Sequence, residues 1–132
     1  MPATTDLHHQ IRQFFDDFVV AFATFDGFLV AQRYAEPCIS LDAQGALRSF
    51  HSGQEIAGYF QSVLTTYHGE GCRSCRYSDL EVVSMGALSV LATVSWELLR
   101  SDGSVVSGWR ESYNLLHSDQ GWRVFASTDH AG

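Results

Sequence analysis

From position 74 to position 127 the chain alternates apolar and polar residues, broken only at Met85-Gly86, at Ser101-Asp102-Gly103 and at Ser118-Asp119-Gln120-Gly121. A period of two sends successive side chains to opposite faces, the mark of strands with one face buried. The breaks carry turn chemistry, Asp-Gly above all, which favours the positive φ of a tight hairpin. Four strands follow, over residues 74–83, 87–100, 104–116 and 122–127, in an antiparallel meander. Such a sheet has an apolar face that something must cover, and only the first half of the chain is left to cover it.

That half reads as helical. Leu7, Ile11, Phe14, Phe15, Phe18, Val19 and Phe22 follow helical spacing, with Gln10, Arg12, Gln13, Asp16 and Asp17 largely on the other side. Thr5 or Asp6 is placed to cap its start. A short second helix is expected over residues 28–34, with Asp26 as its N-cap and Pro37 as its stop. Residues 38–41 and 46–50 form a small hairpin around the turn Asp42-Ala43-Gln44-Gly45. Ser52 and Glu55 are spaced as a capping box for a third helix, whose apolar face carries Ile56, Tyr59, Phe60, Val63, Leu64 and Tyr67 and which ends at Gly69 or Gly71. The expected fold is α+β and one domain, residues 1–132: three helices on the concave face of a strongly curved, mainly antiparallel sheet, leaving a cone open at one end.

Composition narrows what the cone can serve. Nine Phe, five Tyr and three Trp are a heavy aromatic load for 132 residues, suited to an aromatic cavity or to a bulky core. The net charge is −7 and the eight Lys and Arg are scattered singly, so no nucleic acid or anionic membrane is expected as a partner. No apolar run approaches the roughly 20 residues of a membrane span. The segment Met1 to Asp6 lacks the charged and apolar regions of a signal peptide, so a cytoplasmic address is expected. Cys72-Arg73-Ser74-Cys75 has CxxC spacing, but no second tight pair of ligands accompanies it, and no HxH or HxxxH spacing occurs. With no phosphate-cradling glycine loop either, neither metal nor cofactor is expected.

The order of elements, with Asp26 opening the short helix, Tyr34-Ala35-Glu36-Pro37 leaving it, Gly45 in the hairpin, Ile56, Tyr59 and Phe60 on the capped helix and a closing Gly121-Trp122-Arg123-Val124, resembles the NTF2-like superfamily over residues 8–130. That superfamily includes the ketosteroid isomerases and polyketide-cyclase-like proteins. Against the ketosteroid isomerases the resemblance implies that their general-base aspartate falls on Asp42 and one oxyanion donor on Tyr113. Their other donor, a tyrosine of the first helix, falls on Phe18, which has nothing to donate. Losing one such donor typically costs about 2.7–4 kcal/mol of transition-state stabilisation, which disfavours that family's own reaction. Dimers are common in the superfamily, so the resemblance also implies a homodimer.

The strand over residues 104–116 carries the richest chemistry. Trp109, Glu111, Tyr113 and Leu115 share one face; Arg110, Ser112, Asn114 and Leu116 share the other. The first face is expected to form the back wall of the cone and the second to meet a partner chain or water. Glu111 is then an acid, base or orienter beside a Tyr113 donor, or else it pairs with Arg110 or Arg123 while Tyr113 bonds to backbone. An unpaired buried glutamate is costly, so a partner or a solvated cavity must exist. Asp42 is either a base or a turn aspartate that caps its own backbone. Two readings stand: a pocket for a small apolar or aromatic ligand with oxygen groups, walled by Phe18, Phe22, Tyr34, Tyr59, Phe60, Trp96 and Trp109, with isomerase-, cyclase- or dehydratase-like chemistry by Asp42, Glu111 and Tyr113; or a non-catalytic dimeric scaffold whose cone its own aromatics fill.

Overall fold

The computed structural model describes residues 4–132, with side chains from Asp6 onward. The elements run α1 (Thr4–Phe22), α2 (Gly27–Ala31), β1 (Tyr34–Leu41), β2 (Leu47–Phe50), α3 (Gly53–Gly69), β3 (Ser74–Ser84), β4 (Ser89–Leu99), β5 (Val105–Ser118) and β6 (Gly121–Asp129). Met1 to Ala3, read above for a leader, lie outside the described residues. So does the Thr5 side chain, and Asp6 stands inside the first turn of α1 and not before it.

The six strands form one sheet in the order β2-β1-β6-β5-β4-β3. All neighbours are antiparallel except β1 and β6, which run parallel. The ladders lose register between Ser78 and Glu81 of β3, between Leu98 and Leu99 of β4, between Asn114 and Leu115 of β5 and between Tyr34 and Ile39 of β1. An extra residue on one strand bends it and tightens its twist; Asp79, with φ 54°, marks the break in β3.

The helices fill the concave side. α1 lays Leu7, Ile11, Phe14, Phe15, Phe18 and Phe22 into the core. Phe15 meets Tyr113 and Trp96 at ring-centroid distances of 5.4 and 6.0 Å, and Phe18 meets Trp96 at 5.4 Å. α3 begins where its box lies: the Ser52 hydroxyl accepts from the Glu55 N–H at 3.2 Å, and the Glu55 carboxylate reaches back to the His51 N–H at 3.4 Å. It ends in a Schellman turn, with Cys72 N–H donating to Tyr67 C=O and Gly71 N–H to His68 C=O. That turn needs a left-handed residue, and Gly71 supplies it at φ +98°.

The second helix is shorter than its sequence suggests. Asp26 does cap it, accepting from the Phe28 N–H at 2.9 Å, but it stops at Ala31, and Tyr34 lies on β1. The Arg33 carbonyl accepts from the Val124 N–H at 3.0 Å, so β6 captures the chain as a parallel neighbour before a second helical turn can form. Pro37 therefore does not end a helix; it sits inside β1, in the gap of the β1–β6 ladder, where its missing N–H leaves no ladder bond unmade. Gly27 lets α2 lie against α3, since a Cβ there would stand 2.5 Å from the Ala57 carbonyl oxygen and the Gln61 nitrogen.

Candidate functional site

Between the helices and the sheet is a cavity of about 110 Å³, counted as space open to the centres of water molecules. A single water needs only about a tenth of that. Phe18 and Phe22 come to it from α1, Tyr34 from β1, Tyr59 and Phe60 from α3, Trp96 from β4 and Trp109, Glu111 and Tyr113 from β5, while Asp42 stands at the mouth. One hollow thus gathers all ten residues read from the sequence as pocket or catalytic positions. Tyr67, Cys38, Arg48, Ser127 and Asp129 also line it and were not foreseen in that role.

Asp129 matters most among these. The sequence reading ended the last strand at Ser127, yet β6 runs two residues further and brings Asp129 directly opposite Glu111 across the β5–β6 ladder. Carrying the alternation on from Ser127 would have found it. Glu111 is 8 % exposed, and one of its oxygens accepts from the Trp109 indole N–H at 2.8 Å. Burial, then the charge of Asp129, pushes its pKa up to about 8. Burial raises Asp129 as well. Two coupled carboxyls of this kind lose their protons in separate steps, so near neutrality one is an acid and the other a carboxylate.

Neither Arg110 nor Arg123 is the partner of Glu111. Arg110 is on the outer face, bonded to Ser95 at 3.0 Å and paired with Glu81 at 3.3 Å. Tyr113 does not bond to backbone: its hydroxyl accepts from the Trp96 indole N–H at 2.7 Å, and burial, then the charge of Glu111, raises its pKa. With its oxygen bonded to Trp96 and only 2 % of its surface exposed, Tyr113 is a fixed part of the wall on the face that carries Glu111. Of the cavity-lining tyrosines whose hydroxyls are unbonded, Tyr34, Tyr59 and Tyr67, the most buried is Tyr34. Its hydroxyl has no hydrogen-bond partner among the described residues, and no sealed polar side-chain atom among them lacks one, so it opens into the cavity.

Asp42 has a different environment. One oxygen accepts from the backbone N–H groups of Gln44 and Ala46 at 3.0 and 2.9 Å, and the other from Arg48 at 2.8 Å. The Arg48 bond, then the turn amides, hold its carboxyl below the usual range. A base requires the opposite shift. The Arg48 guanidinium also lies over the Tyr59 ring, 5.6 Å from its centroid, so this pair forms a polar rim on an aromatic well. Among the described residues no three His, Cys, Asp or Glu side chains converge as a metal set.

A family model described as an NTF2-like protein matches residues 8–132. The chain belongs to this NTF2-like family. No curated protein sequence matches it. Among solved structures it is similar to Aln2 from a Streptomyces species, at 12% identity and a TM-score of 0.79, covering 99% of this chain and 94% of that one. An NTF2-like protein with a cystatin-like fold from Novosphingobium aromaticivorans gives 14% identity and a TM-score of 0.75 over 99% of this chain and 91% of its own. An NTF2-like superfamily protein from Salmonella enterica gives 16% identity and a TM-score of 0.68, covering 98% and 93%. At such identities the shared property is the NTF2-like, cystatin-like fold, and members of one fold share a shape more readily than a chemistry.

Proposed function

We propose that the cone of this NTF2-like protein binds a small apolar or aromatic molecule bearing oxygen groups, and that Glu111 with Asp129 performs cofactor-independent acid–base chemistry on it, of isomerase, cyclase or dehydratase type. The supporting observation is the placement of two opposed carboxyls at the floor of an open, aromatic-walled cavity. The ionised carboxyl takes a proton from carbon beside the ligand's oxygen group, and the protonated one returns a proton to another carbon or to a departing hydroxyl. Tyr34, whose ring packs on Phe18 at 6.2 Å, supplies from β1 the hydroxyl that Phe18 lacks. Tyr113 is a fixed part of the wall beside Glu111, and Asp42 with Arg48 shapes the mouth. A thermal-shift panel of aromatic and polycyclic ketones and phenols tests the reading. Stabilisation that follows ligand concentration and shrinks in Glu111→Gln is expected; no shift from any member, with every cavity residue intact, contradicts it.

We further infer a homodimer through the outer face of the sheet. Its support is a surface of linked polar groups, Thr93 to Ser112 at 2.7 Å and Ser112 to His130 at 2.8 Å, interrupted by the half-buried Leu91, Leu99 and Leu116. Such a mixed surface suits an isologous contact.

A further inference from the structure

No cation is bonded to the carboxyl pair among the described residues: Arg48, the arginine of the cavity lining, is paired with Asp42. Tyr34 and Cys38 face the carboxyls from β1, and burial raises both pKa values, that of Cys38 to about 11, so both stay protonated and neutral. Tyr59 and Tyr67 of α3 are held neutral in the same way, Tyr67 with a pKa of about 12. Tyr113 of β5 and Cys75 of β3 are neutral too, and α1 and α2 contribute only apolar groups to the lining. Arg48, from the cavity lining, and His130 both act on Asp129, but Arg48 is bonded to Asp42 at 2.8 Å and His130 to Ser112 at 2.8 Å. Two carboxyls that share one proton still carry one negative charge, and a charge in an apolar hollow wants a counter-charge.

Two further observations concern what would supply it. Tyr34 is 7 % exposed, and its hydroxyl opens into the cavity without a partner among the described residues. Trp109, bonded to Glu111 at 2.8 Å, stands 6.4 Å from Tyr67 centroid to centroid, so aromatic rings border the carboxyls. Electron-rich rings beside a carboxylate are the surroundings in which an ammonium group is held best.

We propose that the ligand is an organic cation: a protonated amine on an aromatic or apolar body, with its nitrogen between Glu111 and Asp129 and its body along Phe18 and Phe22. This rests on the reading of the cone as a small-molecule site and names the ligand's class. The ligand's oxygen group falls to the free Tyr34 hydroxyl. Its positive charge also keeps Glu111 ionised, so that binding itself prepares the base.

The test uses two probes of nearly the same shape, 2-phenylethylamine and the uncharged 2-phenylethanol, with binding to the whole chain followed by calorimetry at about pH 6 and about pH 9. The amine is expected to bind at least about tenfold tighter than the alcohol at the higher pH, and at least about tenfold tighter than it does at the lower pH, where Glu111 must first lose its proton. In E111Q combined with D129N both differences disappear while the alcohol still binds. Equal or tighter binding of the alcohol by the wild type overturns the cation and leaves the pocket. An amine preference that survives the double variant also overturns it. Silence from both probes at both pH values overturns the pocket and the cation together. Circular dichroism checks the folding of the variant, and the wild-type comparison decides without it.

Discussion

Glu111 and Asp42 are both carboxylates lining one cavity, and their surroundings push them in opposite directions. Glu111 has a folded pKa of about 8, well above its unfolded value. The native state then binds the extra proton between roughly pH 4.3 and the folded pKa, so stability from this group is complete below that window and falls as pH rises through it. Glu111→Gln removes the slope. At about pH 9 its Tm is expected to exceed the wild type's by at least about 3 °C, while at about pH 4 the two agree. Asp42 has the reverse sign: its pKa is lowered by Arg48 and the turn amides, so its contribution is present above the unfolded pKa and is lost as pH falls through the folded one. On any substrate the ligand panel identifies, Glu111→Gln is expected to lose about 10²–10⁴-fold in turnover and Asp42→Asn no more than about threefold. Comparable losses in the two would return the base role to Asp42.

Elements decide which of these residues meet. Ser52→Ala removes the cap of α3 and is expected to cost about 1 kcal/mol in chemical denaturation, with the fold retained. Gly27→Ala forces a methyl against the backbone of α3, and about 1–3 kcal/mol of destabilisation is expected, with ligand response weakened because Tyr59, Phe60 and Tyr67 all sit on that helix. Local pattern made these elements readable. A capping box, a period of two and Asp-Gly turns each act within a few residues, and they sufficed to place Phe18, Tyr59, Trp96, Trp109 and Glu111 on the faces they occupy. The strand position of Tyr34 and the reach of the last strand to Asp129 were not read from the sequence. Tyr34 leaves its helix because Val124, some 90 residues on, hydrogen-bonds to Arg33; the parallel β1–β6 pairing is a long-range event that no local signal announces. Asp129 belongs to a strand held to its last residue by β5, past the point where the alternation weakens.

At the scale of the whole molecule, a bent six-stranded sheet wrapped around three helices leaves a well with a charged rim, aromatic walls and an acidic floor. None of the described helices is long and apolar enough to cross a membrane. If two copies pair through the outer sheet face, light scattering at micromolar concentration returns twice the mass of one 14.7 kDa chain. Half of that value contradicts the pairing but not the pocket, which is built within one chain. The acidic floor is the central claim, and the carbon-13 signal of the Glu111 side-chain carboxyl reports on it directly. Followed across the pH range, that signal is predicted to titrate with a midpoint near 8 in the wild type and at a distinctly lower pH in Asp129→Asn. A midpoint in the ordinary glutamate range, or one indifferent to the loss of Asp129, would contradict the account.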